Sequence, residues 1–250
     1  MNIRKRVKEG WQISAQGYSD LTRDELNNSQ RDIWTKLILE NAPFEGKMNI
    51  LDVGTGPGFF AIILSLTGHN VVGIDLTEEM IQRARENAQR EGVSPEFIVM
   101  DCENLAFDEQ KFDLVISRNV IWTLTRPQDA YREWLRVLKT GGRILVFDAD
   151  WLRDCRDPGF KTQLEKDKAE YTKIYGSPLL SYHDHKKARG WRINLPLVSE
   201  KRPEWDLKTL KELGYQNISS TFISERVYDQ SKLLLYRSLP MFMIRADKLK

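Results

Sequence analysis

Three glycines at alternate positions, Gly54, Gly56 and Gly58, follow the apolar run 50–53, and a carboxylate, Asp52, stands two residues ahead of the first. Glycine tolerates dihedrals closed to other residues and lets a ligand lie against the main chain, so this turn offers close backbone contact with a small polar molecule. Further apolar runs end in acids at Asp75, Asp101 and Asp148, and another ends at Ser117. A carboxylate at such a point accepts hydrogen bonds from the hydroxyl or amine groups of a ligand.

The runs at 70–75, 96–101, 112–117 and 143–148 read as strands, and the segments between them carry helical patterns. Thr77 opens an amphipathic helix with Met80, Ile81, Ala84 and Ala88 on one face, Glu79 with Arg83 and Glu86 with Arg90 as i, i+4 pairs, and Gly92 as the stop. Residues 127–138 place Ala130, Tyr131, Trp134, Leu135 and Leu138 at helical spacing, with Gly141 and Gly142 as terminators. Helices are also expected near 31–41 and 206–213, and strands over 216–223 and 241–245. Alternating strands and helices imply parallel βαβ units wound around one sheet, in which ligands bind at the carboxyl ends of the strands. Asp52, Asp75, Asp101, Ser117 and Asp148 then share one rim.

Two ligand classes compete for the glycine turn. The dinucleotide fingerprint G-x-G-x-x-G needs its last glycine three positions after the second, where this chain has Phe59. Asp52 would also repel a pyrophosphate and attract an ammonium. A cationic ligand such as S-adenosylmethionine suits the turn better.

The stretch Asp52-Val53-Gly54-Thr55-Gly56-Pro57-Gly58 resembles the first motif of the class I S-adenosylmethionine-dependent methyltransferases, an acidic-x-Gly-x-Gly-x-Gly after strand one, and within them the small-molecule, type 11 or UbiE-like group. The resemblance covers residues 45–150 strongly, 204–250 weakly and 151–203 least. It implies an α/β fold, a Rossmann-like, seven-stranded, mostly parallel sheet with helices on both faces, its seventh strand antiparallel beside the fifth. A single domain 1–250 is expected, with an N-terminal helical cover over 1–40 and a substrate-side lid over 151–203.

S-adenosyl-L-methionine is the implied cofactor and S-adenosyl-L-homocysteine the product. The resemblance puts Asp52 on the amino group, with Gly54, Thr55, Gly56 and Gly58 against the ligand. Asp75 lies 23 positions after Asp52 and takes the ribose hydroxyls, Leu76 and Met80 join it, and Asp101 reads the adenine amine beside Cys102 and Glu103. The main chain of Arg118 and Asn119 meets the amino-acid end, and Tyr18, with Trp11 second, folds over the cofactor. Trp122 stands near the methyl group or packs in the core, and Asp148, Asp150 and Trp151 enter the substrate pocket.

The net charge of +2 advertises no nucleic-acid partner, and the basic clusters at 4–6 and 186–192 read as solvated faces. Residues 117–120 lack the Asn/Asp-Pro-Pro-aromatic signature of enzymes that methylate nucleobase or glutamine amino groups. The basic start is followed by no apolar segment, and the run 59–66 is too short to cross a bilayer, so a cytoplasmic protein is expected. Cys102 and Cys155 have neither metal nor redox spacing. In the polar segment His183-Asp184-His185, His183 and His185 are candidate proton acceptors or substrate contacts, Asp148 is a further one, and no metal is expected. The resulting expectation is in-line methyl transfer to a small molecule. An RNA or protein methyltransferase and a non-catalytic cofactor-binding module are the alternatives.

Overall fold

The computed structural model describes residues 2–176 and 190–249. Two helices, α1 (Ile3–Leu26) and α2 (Gln30–Glu40), precede the first strand. Strands and helices then alternate through β1 (Asn49–Val53), α3 (Phe59–Leu66), β2 (Asn70–Asp75), α4 (Glu78–Arg90), β3 (Glu96–Val99), β4 (Phe112–Arg118), α5 (Pro127–Val137) and β5 (Leu138–Asp148). The chain continues with α6 (Arg153–Arg156), α7 (Pro158–Tyr175), α8 (Glu204–Glu212), β6 (Gln216–Phe222), α9 (Ser224–Val227), α10 (Gln230–Leu235) and β7 (Phe242–Asp247).

The seven strands form one sheet in the order β3-β2-β1-β4-β5-β7-β6. β1 pairs in parallel with both β2 and β4, so Val53 lies beside Ile74 and Ser117, while β7 runs antiparallel to β5 with Phe242 opposite Asp148. The order reverses between β1 and β4, the switch point at which open α/β sheets bind ligands.

Strand alternation builds two apolar layers. Leu51, Val53, Val115, Ile144 and Val146 pack on one side of the sheet, and Ile50, Leu114, Ile116, Leu145 and Phe147 on the other. α3 is buried from Phe59 through Leu64, as its continuous apolar sequence requires. α4 is amphipathic, and the Thr77 hydroxyl caps its Met80 amide.

Two local expectations are corrected. The helix before the fifth strand ends at Val137, within a residue of the expected bound, but the glycines do not terminate it: Leu138 already opens β5 by pairing with Phe112, and the ladder shifts register before resuming at Arg143. Gly141, at φ +82°, lies within that irregular stretch. On α4 the expected i, i+4 partners are drawn elsewhere: Arg83 meets Glu86 at 2.9 Å, Arg90 meets Asn87 at 3.3 Å, and Glu79 accepts from Gln12 of α1 at 2.8 Å. Docking α1 on α4 redirects the polar face, and the amide of Asn87 donates to Ser19 at 3.3 Å.

The segment after β5 is tied to the C-terminal part of the chain, where Asp167 of α7 accepts from Arg237 at 2.6 Å. His183 and His185 lie outside the described residues. No helix among the described residues is long and apolar enough to cross a membrane.

Candidate functional site

The glycine turn joins β1 to α3 with φ of +63° at Gly54, +52° at Gly56 and +93° at Gly58, all left-handed. A Cβ on Gly54 would stand 2.4 Å from Cγ2 of Val120, while one on Gly58 would press on Ala84 and Phe97 at 3.1 Å. A Cβ on Gly56 would meet nothing within 4 Å. Gly54 and Gly58 therefore serve close packing as well as backbone shape, and Gly56 leaves room above the turn.

Three carboxylates surround this space. Asp52 is 2 % exposed, and its Oδ2 accepts from the Thr55 hydroxyl at 2.6 Å and the Ala61 amide at 3.0 Å. Burial pushes its carboxyl up to about 6. Asp75 accepts from Thr77 N and Oγ1 through Oδ1, both at 3.0 Å, and from Gly56 N through Oδ2 at 3.1 Å. It pins the turn, and burial raises its carboxyl as well. Asp101, just beyond β3, accepts from Glu103 N at 3.0 Å and forms an ion pair with Arg4 of α1.

These groups line one cavity of about 440 Å³. Of the residues singled out from sequence, Tyr18, Asp52, Gly54, Thr55, Gly56, Asp75, Leu76, Met80, Asp101, Cys102, Glu103, Arg118, Asn119, Trp122 and Trp151 contribute to its walls. Glu103 does so with its carboxylate turned to the loop after Trp122, accepting from the Thr125 and Arg126 amides at 2.6 Å each. The carbonyl of Cys102 accepts from the Trp134 indole at 3.2 Å, and burial raises the Cys102 thiol.

Four expected rim or turn residues are not among the walls. Gly58 is turned toward α4. Ser117 is fully buried in β4. Asp148 is fully buried and paired with Arg202 Nη1 at 2.6 Å, and the same guanidinium grips Asp206, to which the Tyr131 hydroxyl donates at 2.6 Å. Asp150 forms an ion pair with Arg156. Asp148 and Asp150 are thus committed to salt bridges that close the segment after β5, and neither presents a free carboxylate to the cavity.

Aromatic rings supply a further part of the walls. Trp11 packs edge-on against Tyr18 at 5.4 Å and against Trp122 at 6.0 Å, and Trp122 stacks on Trp191 at 6.0 Å. The Trp151 indole donates to Asn119 Oδ1 at 3.1 Å and meets Tyr236 edge-on at 5.8 Å, while Tyr236 lies 5.5 Å from Tyr228. Asn119 adopts φ +61°, a region that asparagine enters more readily than most side chains.

Sequence reasoning missed Arg4, Glu25, Trp34, Tyr228, Lys232, Tyr236 and Met241, all of which line the cavity. One signal was present for the N-terminal contribution: the buried face of α1 carries Gly10, Ser14, Ala15 and Ser19, small residues that permit close docking. No local pattern links the C-terminal tyrosines to a glycine turn far away in the chain.

A family model described as a methyltransferase domain matches residues 44–204. The chain is similar to the ubiquinone/menaquinone biosynthesis C-methyltransferase UbiE of Pseudomonas fluorescens (strain Pf0-1), with 33 % identity over 150 residues, 58 % of each protein. It is also similar to phosphoethanolamine N-methyltransferase 1 of Triticum aestivum, with 30 % identity over 182 residues, 72 % of this chain and 35 % of the relative. The match thus spans little more than half the length of the UbiE relative. Among solved structures, phosphoethanolamine N-methyltransferase 2 of Haemonchus contortus, in complex with S-adenosyl-L-methionine, superimposes with a TM-score of 0.59 at 18 % identity. The superposition covers 92 % of this chain and 60 % of that one, a likeness of fold.

Proposed function

The chain belongs to the class I S-adenosylmethionine-dependent methyltransferases, and from that premise we propose that it methylates a small molecule held between the glycine turn and the aromatic wall formed by Trp151, Tyr228 and Tyr236. The observation that carries this reading is the continuity of one cavity from the three carboxylates to those rings. The relatives' names mention one carbon and one nitrogen methyltransferase. The reading therefore commits to the size of the acceptor and not to its atom.

The residues fit the cofactor. Asp52 meets the ammonium, Asp75 the ribose hydroxyls and Asp101 the adenine amine, while the space above Gly56 admits the ligand next to the main chain. Thr55, Leu76, Met80, Cys102 and Glu103 flank the nucleoside, Arg118 and Asn119 the amino-acid end, and Tyr18 covers it from α1. When bound, S-adenosylmethionine supplies an electrophilic methyl carbon. Trp122 and Trp151 face the acceptor, and the aromatic walls exclude water that would compete as nucleophile. Holding two reactants in line can lower the barrier by about 7–11 kcal/mol, so orientation carries much of the catalysis.

Calorimetry with S-adenosylhomocysteine tests the assignment. Asp75→Ala removes the ribose acceptor and the anchor of Gly56, and binding is expected to weaken about 10- to 100-fold, the effect of losing charge-assisted hydrogen bonds. Equal affinity in wild type and variant would remove Asp75 from the site.

Asp52 adds a pH signature. Its folded-state value of about 6 lies above the ordinary carboxyl value of 3.8, so its contribution to stability is complete at low pH and is lost as pH rises through about 6. The ammonium of a bound ligand offsets that loss by pairing with the ionised form. The melting shift produced by S-adenosylhomocysteine is therefore expected to be larger at pH 7 than at pH 5. A shift independent of pH over this interval would contradict the role.

A further inference from the structure

Arg4 lines the same cavity as Asp101, and its Nη2 pairs with Asp101 Oδ2. The other oxygen, Oδ1, accepts from the Glu103 amide at 3.0 Å. Both oxygens of the carboxylate assigned to the adenine amine are therefore engaged by groups of the protein. The two side chains are 36 % and 21 % exposed, so solvent and salt reach the pair.

Local sequence works against the end of α1 that carries Arg4. Its first two turns hold Arg4, Lys5, Arg6 and Lys8 against one acid, Glu9, and no acid stands in the first turn. Cations at the positive end of the helix dipole destabilise that turn. Gly10 follows, a residue that weakens a helix interior. Beyond it α1 is tied to α4, where Gln12 donates to Glu79 at 2.8 Å and Asn87 donates to Ser19 at 3.3 Å. Ahead of it Val7 is buried and Arg4 makes the ion pair. Asp101 thus supplies from the end of β3 the negative charge that the first turn of α1 lacks.

We propose that the Arg4–Asp101 pair is an autoinhibitory latch: Arg4 competes with the adenine amine for Asp101 Oδ2, and cofactor binding exchanges one for the other and frees the first turn of α1. This rests on the cofactor reading above, which puts adenine on Asp101. Affinity then depends on ionic strength, because salt weakens an exposed ion pair more than the hydrogen bond of an uncharged purine.

Calorimetry with methylthioadenosine isolates the exchange, since this thioether keeps the adenine and the ribose and carries no charge. Wild-type affinity is expected to rise about 2- to 5-fold from low to high salt, about 0.05 to 0.5 M, the range an exposed pair is worth. Arg4→Met should bind methylthioadenosine about 2- to 5-fold more tightly than wild type at the low salt and lose the salt dependence. Methylthioinosine carries a carbonyl in place of the amine, which a carboxylate cannot bind, so the same substitution should give it no gain. Unchanged or weaker binding of methylthioadenosine in Arg4→Met, an equal gain for both nucleosides, or a wild-type affinity that stays flat or falls with salt would overturn the latch. The salt series decides the matter even if the variant fails to fold. A wild type that binds neither methylthioadenosine nor S-adenosylhomocysteine would overturn the cofactor reading itself.

Discussion

Arg202→Met is expected to destabilise this protein by about 3–5 kcal/mol, because it leaves two buried carboxylates without their cation. Arg202 is nearly inaccessible, and it joins Asp148 at the end of β5 to Asp206 in the first turn of α8. The hydroxyl of Tyr131 on α5 donates to the same Asp206. One guanidinium therefore joins the carboxyl end of β5 to α8 and, through Asp206, to α5. Burial already raises the carboxyl of Asp148, and the variant removes the Arg202 charge that opposes that rise. Stability from such groups is present at low pH and is lost as pH rises, so the deficit is expected to be smallest near pH 4 and to grow toward pH 7. Urea denaturation at the two pH values measures this. A variant with wild-type midpoints would show that the cluster contributes nothing, and a deficit that shrinks toward pH 7 would contradict its electrostatic origin.

Gly54→Val is expected to abolish detectable binding of S-adenosylhomocysteine and to lower stability together. The residue sits at φ +63°, where a side chain costs about 1–2 kcal/mol, and β-branching worsens the fit. Its Cβ would lie 2.4 Å from Cγ2 of Val120. The clash moves the loop that begins with Asn119 and leads into Trp122, both of which line the cavity. Overpacking of this kind typically costs a further 1–3 kcal/mol or so. Gly56→Ala is the informative companion, since its Cβ would meet no protein atom within 4 Å. It should keep most of the stability, apart from the left-handed strain, and still lose affinity, because the methyl group occupies ligand space. Thermal melts and calorimetry on both variants separate the effects. Wild-type binding in Gly54→Val would show that the turn does not shape the site.

The glycine turn and the three carboxylates around it were legible because each depends on local physics. Short apolar runs buried on both faces make the central parallel strands, and the acids at 52, 75 and 101 lie at or just beyond the carboxyl ends of three strands. Parallel winding then brings Asp52, Asp75 and Asp101 to one cavity. Asp148 obeys the same local pattern and plays another part. Its partner, Arg202, is 54 residues away, and nothing near Asp148 in the chain announces it. The helix pairs on α4 misled for a related reason: Glu79 has a possible partner one turn on, but docking of α1 offers it Gln12 instead.

The chain by itself determined the fold class and the chemistry of the turn, because glycine spacing, apolar periodicity and helix capping act over a few residues. Which charges would be spent inside the protein and which would face a ligand was decided only by the tertiary structure. Burial and pairing of Asp148, exposure of Arg118 to the cavity, and the joining of Glu25 to Lys232 all arise between segments distant in sequence. Desolvation makes such choices energetically large, and it exists only once those segments have come together.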